Sequence, residues 1–256
     1  MIRSLYTAVS GMITLENKQN TITNNMANAN TTGYKEENLA VKSFKEVMIQ
    51  NRDKIVGGQN VQQKLGTISL GAAIDTVDTV FTQGELKSTN KMSDFAINGR
   101  GFFVVQRGNE RYYTRDGNFT VNNDGYLTNN VGDLVLGVNN RTGAMEPIFV
   151  GGEDYILDAT NNLSVGGNPT HKLALADFED YSTLQKLGDN FYSAENPIYN
   201  ARVAVNQGYL EGSNVNITNA MVDMLSVMRS FETNQKFVSM IDESMQKAAN
   251  EVGSVR

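Results

Sequence analysis

Apolar residues recur at helical spacing only at the two ends of this chain. Ile2, Leu5, Val9 and Met12 fall three, four and three residues apart, the spacing of a seam along which two helices wind together. Near the other end Met221, Met224, Met228, Phe231, Val238, Ile241, Met245, Ala248 and Val252 form a matching stripe, with one phase slip around Asn234 and Gln235. The spacing predicts a first helix from about Ile2 to Ala27. It ends where Asn24, Asn25, Asn28 and Asn30 crowd in ahead of Thr31-Thr32-Gly33-Tyr34, because asparagine competes for its own backbone and glycine adopts the left-handed conformation that closes a helix. A second helix is predicted from about Ile217 to Asn250, led in by Gly208 to Asn214 and capped by Asn216 or Thr218. At the usual rise per residue it is about 50 Å long. Nothing in a compact β domain needs a helix of that length.

Between the ends the apolar period changes. Ala73 to Phe81 alternates as one strand, Phe102 to Gln106 follows as a second, and Arg111 to Arg115 pairs back onto it through the turn Arg107-Gly108-Asn109-Glu110. Asp116-Gly117, Asn123-Asp124-Gly125 and Val131-Gly132-Asp133 mark further hairpin turns. Later strands are predicted around 134–138, 147–150, 154–157, 163–165, 172–176 and 202–204. Residues 36–49 fit either a strand or a short helix, and the polar stretch from Asn51 to Leu65, with Gly57-Gly58 inside it, reads as a mobile loop or linker. The expected fold is therefore α+β: long N- and C-terminal helices pairing as a coiled-coil layer, with a central antiparallel β domain. The corresponding division is residues 1–35 with 209–256 as a discontinuous helical polymerisation domain, 36–70 as a connecting extended segment and loop, and 71–208 as the β domain.

Composition narrows the function classes. With 256 residues the chain can bury a sizeable core, and its formal net charge of -6 without a basic stripe argues against nucleic acid as a partner. No apolar run is long enough to span a bilayer, so no membrane insertion is expected, and the N-terminus lacks the apolar core of a cleaved signal peptide. Cysteine is absent, which removes disulfides, thiolate nucleophiles and cysteine-ligated metals together.

The candidate chemistry reduces to ordinary structure. Asn98-Gly99-Arg100-Gly101-Phe102 lacks the third glycine and the βαβ surroundings of a dinucleotide loop, and reads as a turn between strands. Asn122-Asn123-Asp124-Gly125 lacks the alternating acids of a calcium loop and reads as a hairpin turn. His171 is the sole histidine and is expected at the surface; Asp177, Glu179 and Asp180 read as a solvated face. No enzyme, cofactor or metal is expected. The two amphipathic ends have no third helix to bundle with, so they pair with each other or with neighbouring copies.

Five ordered stretches carry a resemblance. They are Leu5 to Met12 with Asn24 to Lys35, Phe81 to Leu86, Ala96 to Phe103, Tyr113 to Phe119, and Gln207 to Asn216. Together they resemble the signature of the bacterial flagellar basal-body rod and hook family, most closely the distal-rod protein and its Gram-positive hook–basal body relatives. The resemblance implies a structural subunit exported through the flagellar type III apparatus without a cleaved signal. It also implies helical polymerisation with its own copies and with neighbouring rod and hook proteins into the axial drive shaft, outside the cytoplasmic membrane. On that reading Leu5, Val9, Met12, Met221, Met224, Met228, Phe231, Val238 and Ile241 form the polymerisation interface. Asn24, Asn25, Asn28, Asn30, Thr32, Gly33 and Tyr34 form the turn that fixes the helix to the β domain. A proximal-rod or hook paralogue, or a secreted β-domain binding module on a coiled-coil stalk, remain the alternatives.

Overall fold

A computed structural model describes residues 2–56, 59–188, 190–199 and 203–252 of the chain. They divide into two compact units: Met1–Met26, Glu37–Asp78 and Ile217–Arg256 in the first, Ala27–Glu36 and Thr79–Asn216 in the second.

The first unit holds the two helices, α1 (Ile2–Ala27) and α2 (Ile217–Lys247), the latter running on into a wider π-type turn over Ala248–Val252. Burial along α2 follows one unbroken heptad. Ala220, Met224, Val227, Phe231, Asn234, Val238, Ile241, Met245 and Ala248 are its buried or half-buried residues, spaced alternately four and three apart, and every other described position between Ile217 and Asn250 is exposed. The phase slip expected at Asn234 is absent, because Asn234 itself occupies a seam position. The buried row runs through Ala220 and Val227, beside the exposed Met221 and Met228 that apolar spacing picks out. On α1 the row Ser4, Ala8, Gly11, Leu15, Lys18, Ile22 and Asn25 is likewise buried or half-buried, one residue out of phase with Leu5, Val9 and Met12. A Cβ on Gly11 would lie 3.5 Å from the Asn234 side-chain nitrogen.

Four strands complete this unit. β1 (Glu37–Ser43) pairs with β4 (Ala72–Thr79), and β2 (Val47–Val56) with β3 (Gln59–Ile68). Residues 37–43 and 47–49 thus resolve as strand, and the stretch from Asn51 to Leu65 forms the arms of an antiparallel ribbon instead of a loop, with Gly57 and Gly58 outside the described residues. Its polarity concealed it, since a polar stretch without apolar alternation carries no strand period. The Thr7 hydroxyl donates to Leu70 O (2.9 Å) and Ser10 Oγ accepts from Ala72 N (3.3 Å), fastening α1 to the segment before β4. Gly71 is required there, as a Cβ would come within 2.4 Å of Ser10 Oγ.

The second unit is antiparallel β, as expected. Its sheet runs 155–157, 162–165, 168–173, 134–139, β7, β8, 191–193, 185–188, where β5 (Leu86–Ser88), β6 (Phe95–Asn98), β7 (Phe102–Arg107) and β8 (Glu110–Thr114) follow in chain order. β7 lies at its centre with Phe102 and Val104 in one apolar cluster and Phe103 and Val105 in another, all fully buried. Coverage on both faces is why this strand reads as a continuous apolar run. β6 pairs with Ala204–Gln207 and β5 with Tyr209–Glu211; Arg202, expected in the first of these, lies outside the described residues.

Asn25, at the end of α1, accepts from Glu37 N (3.0 Å) and donates to Glu37 O (2.8 Å), so one buried amide satisfies both backbone groups at the start of β1. Asn25→Ala should lower the unfolding free energy by about 1–3 kcal/mol, measured by urea titration.

Candidate functional site

Ala27–Glu36 packs within the β unit although the chain on either side of it belongs to the helical one. The segment turns on Thr31 N to Asn28 O (3.1 Å) and on Gly33 at φ 67°. A Cβ at Gly33 would stand 2.4 Å from Asp116 N and 2.7 Å from the Arg115 carbonyl carbon, so glycine is needed for both conformation and space. Thr32 Oγ1 donates to Asp116 Oδ1 (2.8 Å), Asn190 Nδ2 donates to Thr32 O (2.9 Å), and Gly33 N donates to Glu211 O (2.8 Å). Tyr34 is buried with the Lys186 ammonium 4.3 Å above its ring.

Beneath this turn lies a buried ionic triad. Glu211 Oε1 accepts from Lys35 Nζ (2.5 Å) and from Gly84 N (3.0 Å), while Glu211 Oε2 faces Arg115 Nη1 at 3.2 Å. Lys35 donates a second bond to Thr82 O (2.8 Å), and the Arg115 guanidinium lies 5.2 Å from the Phe102 ring centroid. Lys35, Glu211 and Arg115 are 0%, 1% and 2% exposed. Burial pushes the Lys35 ammonium below its ordinary pKa; the Glu211 carboxylate opposes that shift and the Arg115 charge adds to it. Burial also raises the Asp116 carboxyl, partly offset by the hydrogen bonds it accepts from Asn118 and Thr32.

Asn214 closes the site. Its Oδ1 accepts from Glu36 N (2.7 Å) and its Nδ2 donates to Val80 O (2.7 Å) and Thr82 Oγ1 (2.9 Å), while Val80 N donates to Glu36 O (2.8 Å). One side-chain amide thereby joins three of the four segments through which the chain enters or leaves this unit. The strand before it is held just as closely: a Cβ on Gly84 would lie 2.0 Å from Gly212 O.

The five sequence stretches thus converge. Lys35 comes from the first, Thr82 and Gly84 from the second, Phe102 from the third, Arg115 and Asp116 from the fourth, Glu211 and Asn214 from the fifth. Thr32, Gly33 and Tyr34 of the expected turn are engaged here; Asn25 binds β1 in the other unit; Asn28 accepts from the Thr31 hydroxyl (3.2 Å) within the turn; Asn24 and Asn30 are exposed. Reading the sequence missed the roles of Lys35, Arg115, Glu211 and Asn214. Their signal was charge or amide set among glycines and apolar residues.

Of the expected interface residues, Met224, Phe231, Val238 and Ile241 lie on the covered seam, Leu5 and Met12 are half-buried, and Val9, Met221 and Met228 are exposed. His171 is buried, with Nε2 3.2 Å from Glu146 Oε1, against the expectation of a surface position. It lies in a strand interior, which its turn-rich sequence surroundings hid. Asp177 faces Arg100 and Tyr181, and Asp180 caps a short helical turn by accepting from Ser182 N (2.9 Å). Gly125 takes a positive φ of 83° in a turn where Tyr126 N donates to Asn122 Oδ1 (2.8 Å).

Three family profiles match in chain order: Flagella basal body rod protein over residues 5–35, Flagellar hook protein FlgE/F/G D1 domain over 96–167, and Flagellar basal body rod FlgEFG protein C-terminal over 206–251. The chain is 32% identical to the flagellar basal-body rod protein FlgG of Bacillus subtilis across 98% of this chain and 99% of that protein. It is 30% identical to the flagellar hook-basal body complex protein FlhO of the same organism across the whole of both. It is 31% identical to the flagellar basal-body rod protein FlgF of Caulobacter vibrioides, again across the whole of both.

The triad predicts an asymmetry between its members. Glu211→Ala leaves two buried cations facing each other and should cost about 3–5 kcal/mol, whereas Lys35→Met keeps the Arg115–Glu211 pair and should cost under about 1.5 kcal/mol, both read by urea unfolding. Asp116 gives a pH signature. Because its folded pKa is raised, the native chain holds a proton that the unfolded chain has released, in a window opening at the ordinary aspartate value of 3.8. Stability from this group is present below that value and is lost as pH rises through the raised pKa. Asp116→Asn should flatten this part of the stability–pH curve between the two values.

Proposed function

The chain belongs to the flagellar basal-body rod protein family, whose members are structural components and not enzymes, and we propose that it polymerises helically through its terminal helices into the axial shaft that carries torque from motor to hook. Family membership places it in the flagellum, assembled with other basal-body rod and hook proteins. Among the described residues no helix is long and apolar enough to cross a membrane. Export through the flagellar type III apparatus belongs to the same proposal.

The observation that carries it is the second apolar face on each helix. Beside the covered seams, α1 exposes Tyr6 (69%), Val9 and Ile13, and α2 exposes Met221, Val222, Leu225 (55%) and Met228 (43%). Tyr6, Val9 and Ile13 are spaced three and four apart, as are Met221, Leu225 and Met228 in reverse order, so each set forms its own stripe. A monomer leaves both stripes in water. Identical subunits joined through contacts that do not close on themselves make a helical filament, and these faces suit such contacts. The covered seams, with Met224, Phe231, Val238 and Ile241, then hold each helix within its own subunit as a coiled-coil layer. Met221, Met228 and Val9 meet the neighbours.

Adjacent residues separate the two roles. Met228→Asp should leave monomer stability within about 0.5 kcal/mol and abolish both filament assembly and motility in a complemented deletion strain. Val227→Asp, on the buried seam, should destabilise the monomer itself. Normal rods assembled from Met228→Asp would sink the assignment of the exposed face.

A further inference from the structure

We infer that the β unit carries a recognition socket for the segment Ala27–Glu36, able to take that segment from a second copy of the chain as well as from its own. The β unit consists of the continuous run Thr79–Asn216 plus this ten-residue piece, which has no backbone continuity with it. The piece is held as a bound peptide is held.

The contacts are specific at successive positions. Thr32 is read at its hydroxyl by Asp116 and at its carbonyl by Asn190, Gly33 at its N–H by Glu211 O, Lys35 at its ammonium by the Glu211 carboxylate and Thr82 O, and Glu36 at its N–H by Asn214 and at its carbonyl by Val80 N. Side-chain charge, backbone polarity and the absence of a Cβ are all tested within five residues. The receiving groups hold one another in place: Arg115 pairs with Glu211, Gly84 N donates to the same carboxylate, and Asn214 is bonded to Val80 and Thr82. None of these supporting contacts uses the segment, so the receiving groups are arranged by Thr79–Asn216 itself. Charge complementarity and the glycine requirement name the occupant. It is a Thr-Gly-Tyr-Lys turn, and a second copy of this chain carries one. Exchange of identical elements between protomers is a low-cost route to association, because the contacts made are those already selected in the single chain.

The test uses the full chain with its own segment expelled in two independent ways, Gly33→Val by steric clash and Lys35→Glu by like-charge contact with Glu211. A fluorescent peptide spanning residues 27–37 is titrated onto each and followed by anisotropy, with folding checked by circular dichroism. Both variants should bind one peptide saturably, and at least about tenfold more tightly than the unaltered chain, whose socket is occupied at the high effective concentration of an attached segment. Peptides bearing Gly33→Val or Lys35→Glu should not bind. The inference fails if the folded variants bind no peptide, if the unaltered chain binds equally well, or if the altered peptides bind as the native one does. It also fails if neither variant folds, since the segment would then be part of the folding nucleus and not a separable ligand. None of these readouts depends on filament formation, so the rod reading and the socket stand or fall separately.

Discussion

A carboxylate buried between two cations governs the β unit. Glu211 is almost wholly removed from water, and a carboxylate in that position is tolerable only when its oxygens are fully engaged. Its partners are Lys35, Arg115 and the Gly84 N–H, contributed by stretches far apart in the chain. The constraint is mutual. Lys35 and Arg115 are both buried only against Glu211, and Arg115 keeps that carboxylate paired within Thr79–Asn216 until the Ala27–Glu36 turn brings in Lys35. The glycines follow from the same demand, since the segments bearing the charges must approach at backbone distance, as Gly33 does to Asp116 and Gly84 to Gly212.

That constraint explains what the sequence made visible and what it hid. The helix stop at Asn24 to Gly33 was legible because it is local: asparagine and glycine signal a boundary whatever lies beyond. The β character of the middle was legible for the same reason, through closely spaced turns. The destination of the turn was not legible, because Lys35, Arg115 and Glu211 look like any surface charges until the fold brings them together. The family resemblance drew its weight from those very stretches without supplying a physical reason for them.

The helices carry two rows where spacing alone suggests one. Apolar spacing picks out Met221 and Met228 and passes over Asn234, yet the buried row runs through Ala220, Val227 and Asn234. A buried row can include small residues and a single polar one, so the buried line need not be the one that apolar spacing picks out. The apparent slip arose from reading two overlapping stripes as one. Conversely, the ribbon from Val47 to Ile68 failed to announce itself because its composition carries no period.

Asn214 has a mechanical consequence. Its amide binds Glu36, Val80 and Thr82 while its own backbone leads within three residues into α2. Tension that arrives through the Asn214 backbone is therefore divided in parallel among these short, nearly inextensible bonds. Parallel bonds must break together, whereas bonds loaded in series break one at a time. The clip turns several individually weak hydrogen bonds into a single fastening whose yield point is set by their sum.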